Sequence, residues 1–184
     1  MKIYLIRHTQ PDVAKGICYG STDLDVADSF DDEAAAVKAV LPLITPTTKI
    51  LSSPLIRCRK LAEFIAEGHP IAVEPRLTEI SFGDWEMQPW KSFGREVLLE
   101  WKANFVHTPC PNGESFQSVF DRAKSLYEEV IQMKAEQVFL VNHSGVIRAF
   151  LCLLTDIPLE NAFDEQFGFG VVFEIEKGQV KRLK

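Results

Sequence analysis

The chain has 184 residues, 46% of them hydrophobic and 25% charged, with a formal net charge of −6. That length fills one domain rather than two. The acidic balance argues against a general affinity for nucleic acid or for an anionic membrane, so any cationic site must be a local pocket.

No apolar run approaches the length of a membrane helix. Arg7 and His8 interrupt the N-terminal one, so no secretory leader is read and a cytoplasmic location is expected. Cys18, Cys58, Cys110 and Cys152 are scattered, with no C-x-x-C and no metal-like pairing. Four free thiols in a reducing compartment are expected.

In chain order, KIYLI reads as a buried strand. A polar, glycine-containing loop leads to DDEAAAVKAVLPL, a helix with acidic residues in its first turn, where the dipole favours them. TKILSS is a short strand. SPLIRCRKLAEFIAEG is a helix with Ser53 as N-cap, Pro54 at the first helical position and Gly68 at the exit. IAVEPRL reads as another short strand. Between Asp84 and Gly113 only one pattern stands out: Val97, Leu98, Trp101 and Phe105 share a helical face. From Ser115 the apolar positions Phe116, Val119, Phe120, Ala123, Leu126, Tyr127, Val130 and Met133 predict a long amphipathic helix. QVFLVNHSG is a strongly buried strand, VIRAFLCLL the helix after it. FGVVFEIEKGQVKRL predicts two strands around a turn at Lys177-Gly178.

Near-continuous apolar strands alternating with helices imply an α/β fold. We expect a three-layer α/β/α sandwich with a mainly parallel central sheet, as a single domain over residues 1–184. Ligands of such sheets bind beyond the carboxyl ends of the strands. Three strand ends carry unusual groups there. IYLI ends in Arg7-His8. KIL leads through Ser52-Ser53-Pro54 to Arg57. VFLV ends in Asn142-His143, followed by Ser144-Gly145 and a helix. Taken singly, a histidine is more often structural and an arginine more often a surface charge. Jointly, two guanidiniums, two imidazoles and a helix N-terminus on one rim make a phosphoryl site.

LIRHT, SSPLIRC, LTEISFGDWE, NGES and VNHSGVIR, in this order, resemble the histidine phosphatase superfamily, which includes the cofactor-dependent phosphoglycerate mutases. The motifs span residues 5 to 148. GICYGSTDLDV and FGDWEMQ are similar to the α-ribazole phosphatase branch. The resemblance implies a phosphoglycerate mutase-like fold and a metal-independent phosphomonoesterase without cofactor, working through phosphohistidine on a small phosphate ester. It implies that His8 is the nucleophile, that Arg7, Arg57 and His143 hold the phosphoryl oxygens, and that Glu79 is the general acid and then the base. Without it, Glu79 does not stand out from Glu74 or Glu86. α-Ribazole 5′-phosphate is the implied substrate, with a broad-specificity phosphatase of small or sugar esters as alternative. A homodimer is the assembly considered, although no residue specifies it.

Three departures stand out. Thr9 occupies a position where the family usually has Gly, so an ordinary backbone and a narrower pocket are expected. Ser144 likewise replaces a commoner Gly; it is expected to cap its helix, with contact to the phosphate as the other option. VADSFDDEAAAV stands where the family has L-x-x-x-G-x-x-Q-A, a matter of packing. There is no Asn between Thr9 and Gly20, and the insertion EVLLEWKANF is apolar and acidic, which disfavours a mutase. Residues 84–114 form a lid or insertion segment. Its Trp85, Trp90, Phe93, Trp101 and Phe105 either cover a base-like leaving group or form core. Cys18, Tyr19 and Gly20, with Thr9, Ser144 and Gly145, are the remaining substrate-binding candidates.

Rival chemistries fare worse. DLDVA has no buried strand before it, as a haloacid-type aspartate nucleophile requires. No cysteine heads a C-x5-R, and there is no G-x-x-x-x-G-K-[ST]. A non-catalytic phospho-ligand module is disfavoured by the intact set Arg7, His8, Arg57, Glu79 and His143.

Overall fold

The computed structural model describes residues 1–184. Its six strands are β1 (Lys2–Arg7), β2 (Lys49–Ser52), β3 (Ile71–Val73), β4 (Gln137–Asn142), β5 (Val172–Glu176) and β6 (Gln179–Arg182). Its five helices are α1 (Phe30–Lys38), α2 (Ile56–Ala66), α3 (Arg95–Asn104), α4 (Phe116–Val130) and α5 (Ser144–Thr155). The strands form one sheet in the order β3-β2-β4-β1-β5-β6. β3, β2, β4 and β1 are mutually parallel, while β5 runs against β1 and β6 against β5.

Strand alternation sends successive side chains to opposite faces, and β1 divides accordingly. Ile3 and Leu5 enter one core with Leu140, Leu126, Ile147 and Phe150, beneath α4 and α5. Tyr4 and Ile6 enter a second core with Phe139, Val141, Leu61 and Ile65, beneath α1 and α2. Helices on both faces give the expected three-layer sandwich.

Boundaries moved where local chemistry overrode the pattern. α1 ends at Lys38 instead of continuing through LPL, and Leu43 is left 89% exposed. α2 begins at Ile56, with Leu55 as its extended cap residue, so Ser53 is not the N-cap and Pro54 not the first helical residue. Its exit does use left-handed backbone, at Glu67 (φ 48°) and Gly68 (φ 90°). IAVEPRL yields only the three residues of β3 before a 3-10 turn at Pro75–Leu77. On α3, Leu98 and Trp101 face the protein but Val97 is half exposed. Ser115 caps α4, accepting from the Ser118 amide at 3.3 Å. Lys177 and Gly178 both take positive φ in the β5–β6 turn, as a tight two-residue hairpin requires.

Three parallel strands therefore end on one rim. The register pairs Arg7 with Asn142 and Ser52 with Val141. Past the strands, the His8 amide still donates to the Asn142 carbonyl (3.0 Å) and the Ser53 amide to the Val141 carbonyl (2.9 Å). The loops that carry the chemistry thus leave the sheet in fixed directions.

Candidate active site

His8 is buried directly beyond β1. Its Nδ1 lies 2.6 Å from the Thr9 carbonyl oxygen. A carbonyl only accepts, so Nδ1 carries the proton and Nε2 keeps its lone pair. Burial foremost, then Arg57 and Arg7, holds the imidazole well below its ordinary pKa. The ring is therefore neutral and nucleophilic at Nε2.

Arg7 and Arg57 are anchored by backbone carbonyls. Arg7 Nη1 donates to Phe167 O (2.7 Å), and its guanidinium lies 4.3 Å from the centre of the Phe169 ring. Arg57, fully buried in the first turn of α2, donates from Nη1 to Thr22 O (2.8 Å) and from Nη2 to Gly20 O (2.6 Å). The Nε–H of each is buried without a partner. Orphaned buried donors on two cations are costly unless an anion completes them.

His143 is the cap residue of α5, its ring centre 5.0 Å from that of His8. Its Nε2 is 2.8 Å from Ser53 Oγ, and that oxygen accepts from the Leu55 amide at 3.3 Å, which leaves the hydroxyl proton free for the ring. Ser53, expected as a helix cap, thus serves the imidazole. Burial foremost, then His8 and Arg57, keeps His143 neutral too. In the tautomer in which the Ser53 hydroxyl donates to Nε2, the ring proton sits on Nδ1, where it can be offered to an oxyanion.

Geometry separates the three carboxylates that sequence alone leaves equivalent. Glu74 is tied to Arg76 at 2.7 Å. Glu86 is filled by loop donors. Glu79 lies at the N-terminus of α5, its two oxygens each 3.1 Å from the Gly145 amide and Oε1 also 2.9 Å from the Ile80 amide.

The remaining candidates scatter. Thr9 is buried, has no positive φ, and its hydroxyl lacks a partner. Gly145 packs so closely on Glu79 that no side chain fits. Ser144 does not cap α5; its hydroxyl accepts from Arg148 Nε at 3.2 Å. Tyr19 lies beside Arg57, ring centre 5.7 Å from the guanidinium carbon. Cys18 is enclosed with Trp85 and Cys110, its thiol pushed up to about 12 chiefly by burial. The aromatics of the insertion segment mostly pack on one another, Trp85 stacking on Phe93 at 4.8 Å. The core alternative describes them better than a lid, although Trp101 and Phe105 also border a surface cleft with Phe163.

Phe169 is a neighbour that no sequence pattern singles out. It borders both Arg7 and His8, its ring centre 5.7 Å from the imidazole's. With Tyr19 it walls a half-open cavity of about 390 Å³, otherwise lined from the segment between Gln10 and Ile17, by Pro11, Val13, Ile17 and Lys15 among others but not by Asp12. Arg148, the last residue of VNHSGVIR, ties α5 to the loop before Phe169. It donates to Ala162 O (2.5 Å) and Glu165 O (2.7 Å).

A neutral imidazole with a free lone pair, facing two cations whose charge no carboxylate cancels, is built for phosphoryl transfer. The chain belongs to the histidine phosphatase superfamily (branch 1), whose family model matches residues 3–179. It is 33% identical over 169 residues to a Hydrogenobacter thermophilus protein named "Putative phosphoserine phosphatase 2", covering 89% of this chain and 83% of that one. It is 26% identical over 166 residues to the adenosylcobalamin/α-ribazole phosphatase of Salmonella typhimurium, covering 86% and 81%. Among solved structures, a mycobacterial glucosyl-3-phosphoglycerate phosphatase superposes with a TM-score of 0.83 at 26% identity, covering 94% of this chain and 88% of that one. The fold is therefore the phosphoglycerate mutase-like one, and the chain is a phosphatase with a histidine nucleophile.

Proposed function

We propose that the chain is a metal-independent phosphomonoesterase whose preferred substrate is α-ribazole 5′-phosphate. The observation that carries this reading is the cavity between Tyr19 and Phe169, which opens beside the Arg7–His8–Arg57 cluster. Two aromatic walls over an apolar floor suit a flat heteroaromatic riboside. The α-ribazole phosphatase relative and the GICYGSTDLDV stretch point the same way.

His8 Nε2 attacks phosphorus and the ester P–O bond breaks. Arg7, Arg57 and the Nδ1–H of His143 hold the equatorial oxygens as charge spreads over them. Glu79 hands a proton to the leaving oxygen. It then takes one from water, whose oxygen displaces His8 and releases inorganic phosphate. Fixed guanidiniums meet the charge that a metal ion meets in other phosphatases.

A second reading has its own support. Lys15 is the one charged side chain lining the cavity, and it suits a carboxylate-bearing ester. The 33% identical relative fits that, and phosphoserine is the corresponding substrate. Turnover of α-ribazole 5′-phosphate, phosphoserine, 3-phosphoglycerate and p-nitrophenyl phosphate decides between them. The first is expected to have the highest kcat/KM, undiminished by EDTA. Rapid quench is expected to trap acid-labile phosphate on the wild type and none on His8→Ala. A preference for phosphoserine replaces the substrate assignment and leaves the chemistry standing; activity retained by His8→Ala removes the mechanism.

A further inference from the structure

Glu86 belongs to none of the groups placed at the phosphoryl site, yet its carboxylate accepts five hydrogen bonds. Oε1 takes the Ser21 amide (2.9 Å), the Ser21 hydroxyl (3.0 Å) and the Phe82 amide (2.9 Å). Oε2 takes the Thr22 amide (2.6 Å) and the Thr22 hydroxyl. The turn they hold is the one that anchors Arg57, whose two terminal nitrogens donate to the Gly20 and Thr22 carbonyls.

The link runs through a single peptide plane. The Gly20 carbonyl and the Ser21 N–H belong to the same amide, and a trans peptide points them in opposite directions. Glu86 pulls on the N–H while Arg57 pulls on the carbonyl, so each bond polarises the other. The turn has no slack. A Cβ on Gly20 would lie 2.8 Å from the Phe82 ring and 3.1 Å from Glu86 Oε1.

The arrangement also preserves charge. No carboxylate lies within ion-pair distance of Arg7 or Arg57. A carboxylate placed directly on Arg57 would orient it but cancel part of the field meant for the substrate. Acting through a neutral peptide, an acid can orient the guanidinium and leave its charge available.

We propose that Glu86 is a positioning residue for Arg57, fixing the guanidinium through the Gly20–Ser21 peptide so that it meets the transferring phosphoryl group. This rests on Arg57 binding the phosphoryl group, not on which ester is preferred, so p-nitrophenyl phosphate and inorganic phosphate are the probes. In Glu86→Gln the side-chain amide turns donors toward the loop's own donors. On folded enzyme, checked by thermal melting, kcat/KM for p-nitrophenyl phosphate is expected to fall roughly 10- to 100-fold, as for a misplaced catalytic group. Calorimetric affinity for inorganic phosphate should fall about tenfold. Glu86→Asp, which keeps the charge and shortens the reach, should recover part of both and serves if the Gln variant does not fold. The decisive comparison is a double-mutant cycle. In an Arg57→Ala background, Glu86→Gln should change phosphate affinity by no more than about threefold. An equal loss in both backgrounds, or wild-type affinity in Glu86→Gln, overturns the proposal. A wild type that does not bind inorganic phosphate removes the phosphoryl-site reading beneath it.

Discussion

Thr9 follows His8, the proposed nucleophile, and does three things at once. Its carbonyl oxygen holds His8 Nδ1 and so sets the tautomer. Its backbone is ordinary, with none of the positive φ that would call for glycine. Its hydroxyl is buried beside His8 and unpartnered. A buried unsatisfied polar group costs about 1–3 kcal/mol, which a ligand oxygen can return on binding. Thr9→Val keeps the shape and removes the hydroxyl. It should raise the melting temperature of the free enzyme and weaken inorganic phosphate roughly tenfold, the equivalent of about 1.4 kcal/mol. Unchanged phosphate affinity in a calorimeter would mean that the hydroxyl never meets the phosphoryl group. Sequence alone reaches Arg7, His8, Arg57 and His143, because each ends or follows an apolar strand. It reaches Glu79 only through family resemblance, since what distinguishes that carboxylate is the amide of Gly145, 66 positions away.

At the scale of elements, the N-terminus of α5 does the positioning. His143 caps it, and the Gly145 amide, one of its free N–H groups, binds Glu79. Gly145 is required for space: an added Cβ would collide with Glu79 Oε1 and lie 3.3 Å from the carboxyl carbon. Gly145→Ala should therefore push Glu79, the proposed general acid, out of place. Alkyl phosphates, whose leaving oxygen needs a proton, should lose roughly 10- to 100-fold in kcat. p-Nitrophenyl phosphate, which leaves as a stabilised anion, should lose no more than a few-fold. Equal losses on both substrates would assign Gly145 to packing rather than to proton transfer. The insertion segment teaches the opposite lesson. Its aromatics look like a ligand box, but Trp85, Trp90, Phe93 and Trp101 mainly satisfy one another around Cys18 and Cys110. Helical spacing predicts a buried face and says nothing of what buries it.

For the whole molecule, the site sets an acid limit on folding. His8 and His143 are held neutral chiefly by burial, with Arg57 also acting on both. Their folded pKa values lie below the unfolded value of about 6.5, so below that pH the unfolded chain binds more protons. The imidazoles' contribution therefore falls as pH drops through 6.5 and is flat above it. The slope approaches a tenfold change in the folding equilibrium per pH unit for each imidazole. Urea midpoints measured between pH 7.5 and 5 should show it, and His143→Gln should flatten it. An unchanged slope in that variant would show that His143 is protonated in the fold. The carboxylates with lowered pKa, Asp25 from about 3.8 and Glu74, Glu86 and Glu174 from about 4.5, act only at lower pH.

By itself the sequence determined the strands and most helices, because apolar periodicity is a local record of which side chains must leave water. It also pointed to the proposed phosphoryl-binding set, because a parallel sheet brings every strand's carboxyl end to one edge. Only the tertiary structure decided which helix ends moved, which carboxylate faces the site, and that Ser53 serves His143 rather than capping α2. It also decided that Phe169 borders His8 and that Glu86 reaches Arg57 through a peptide. Those contacts join segments 35 to 161 positions apart. Packing forms them from residues whose own neighbours in the chain carry no sign of the partner.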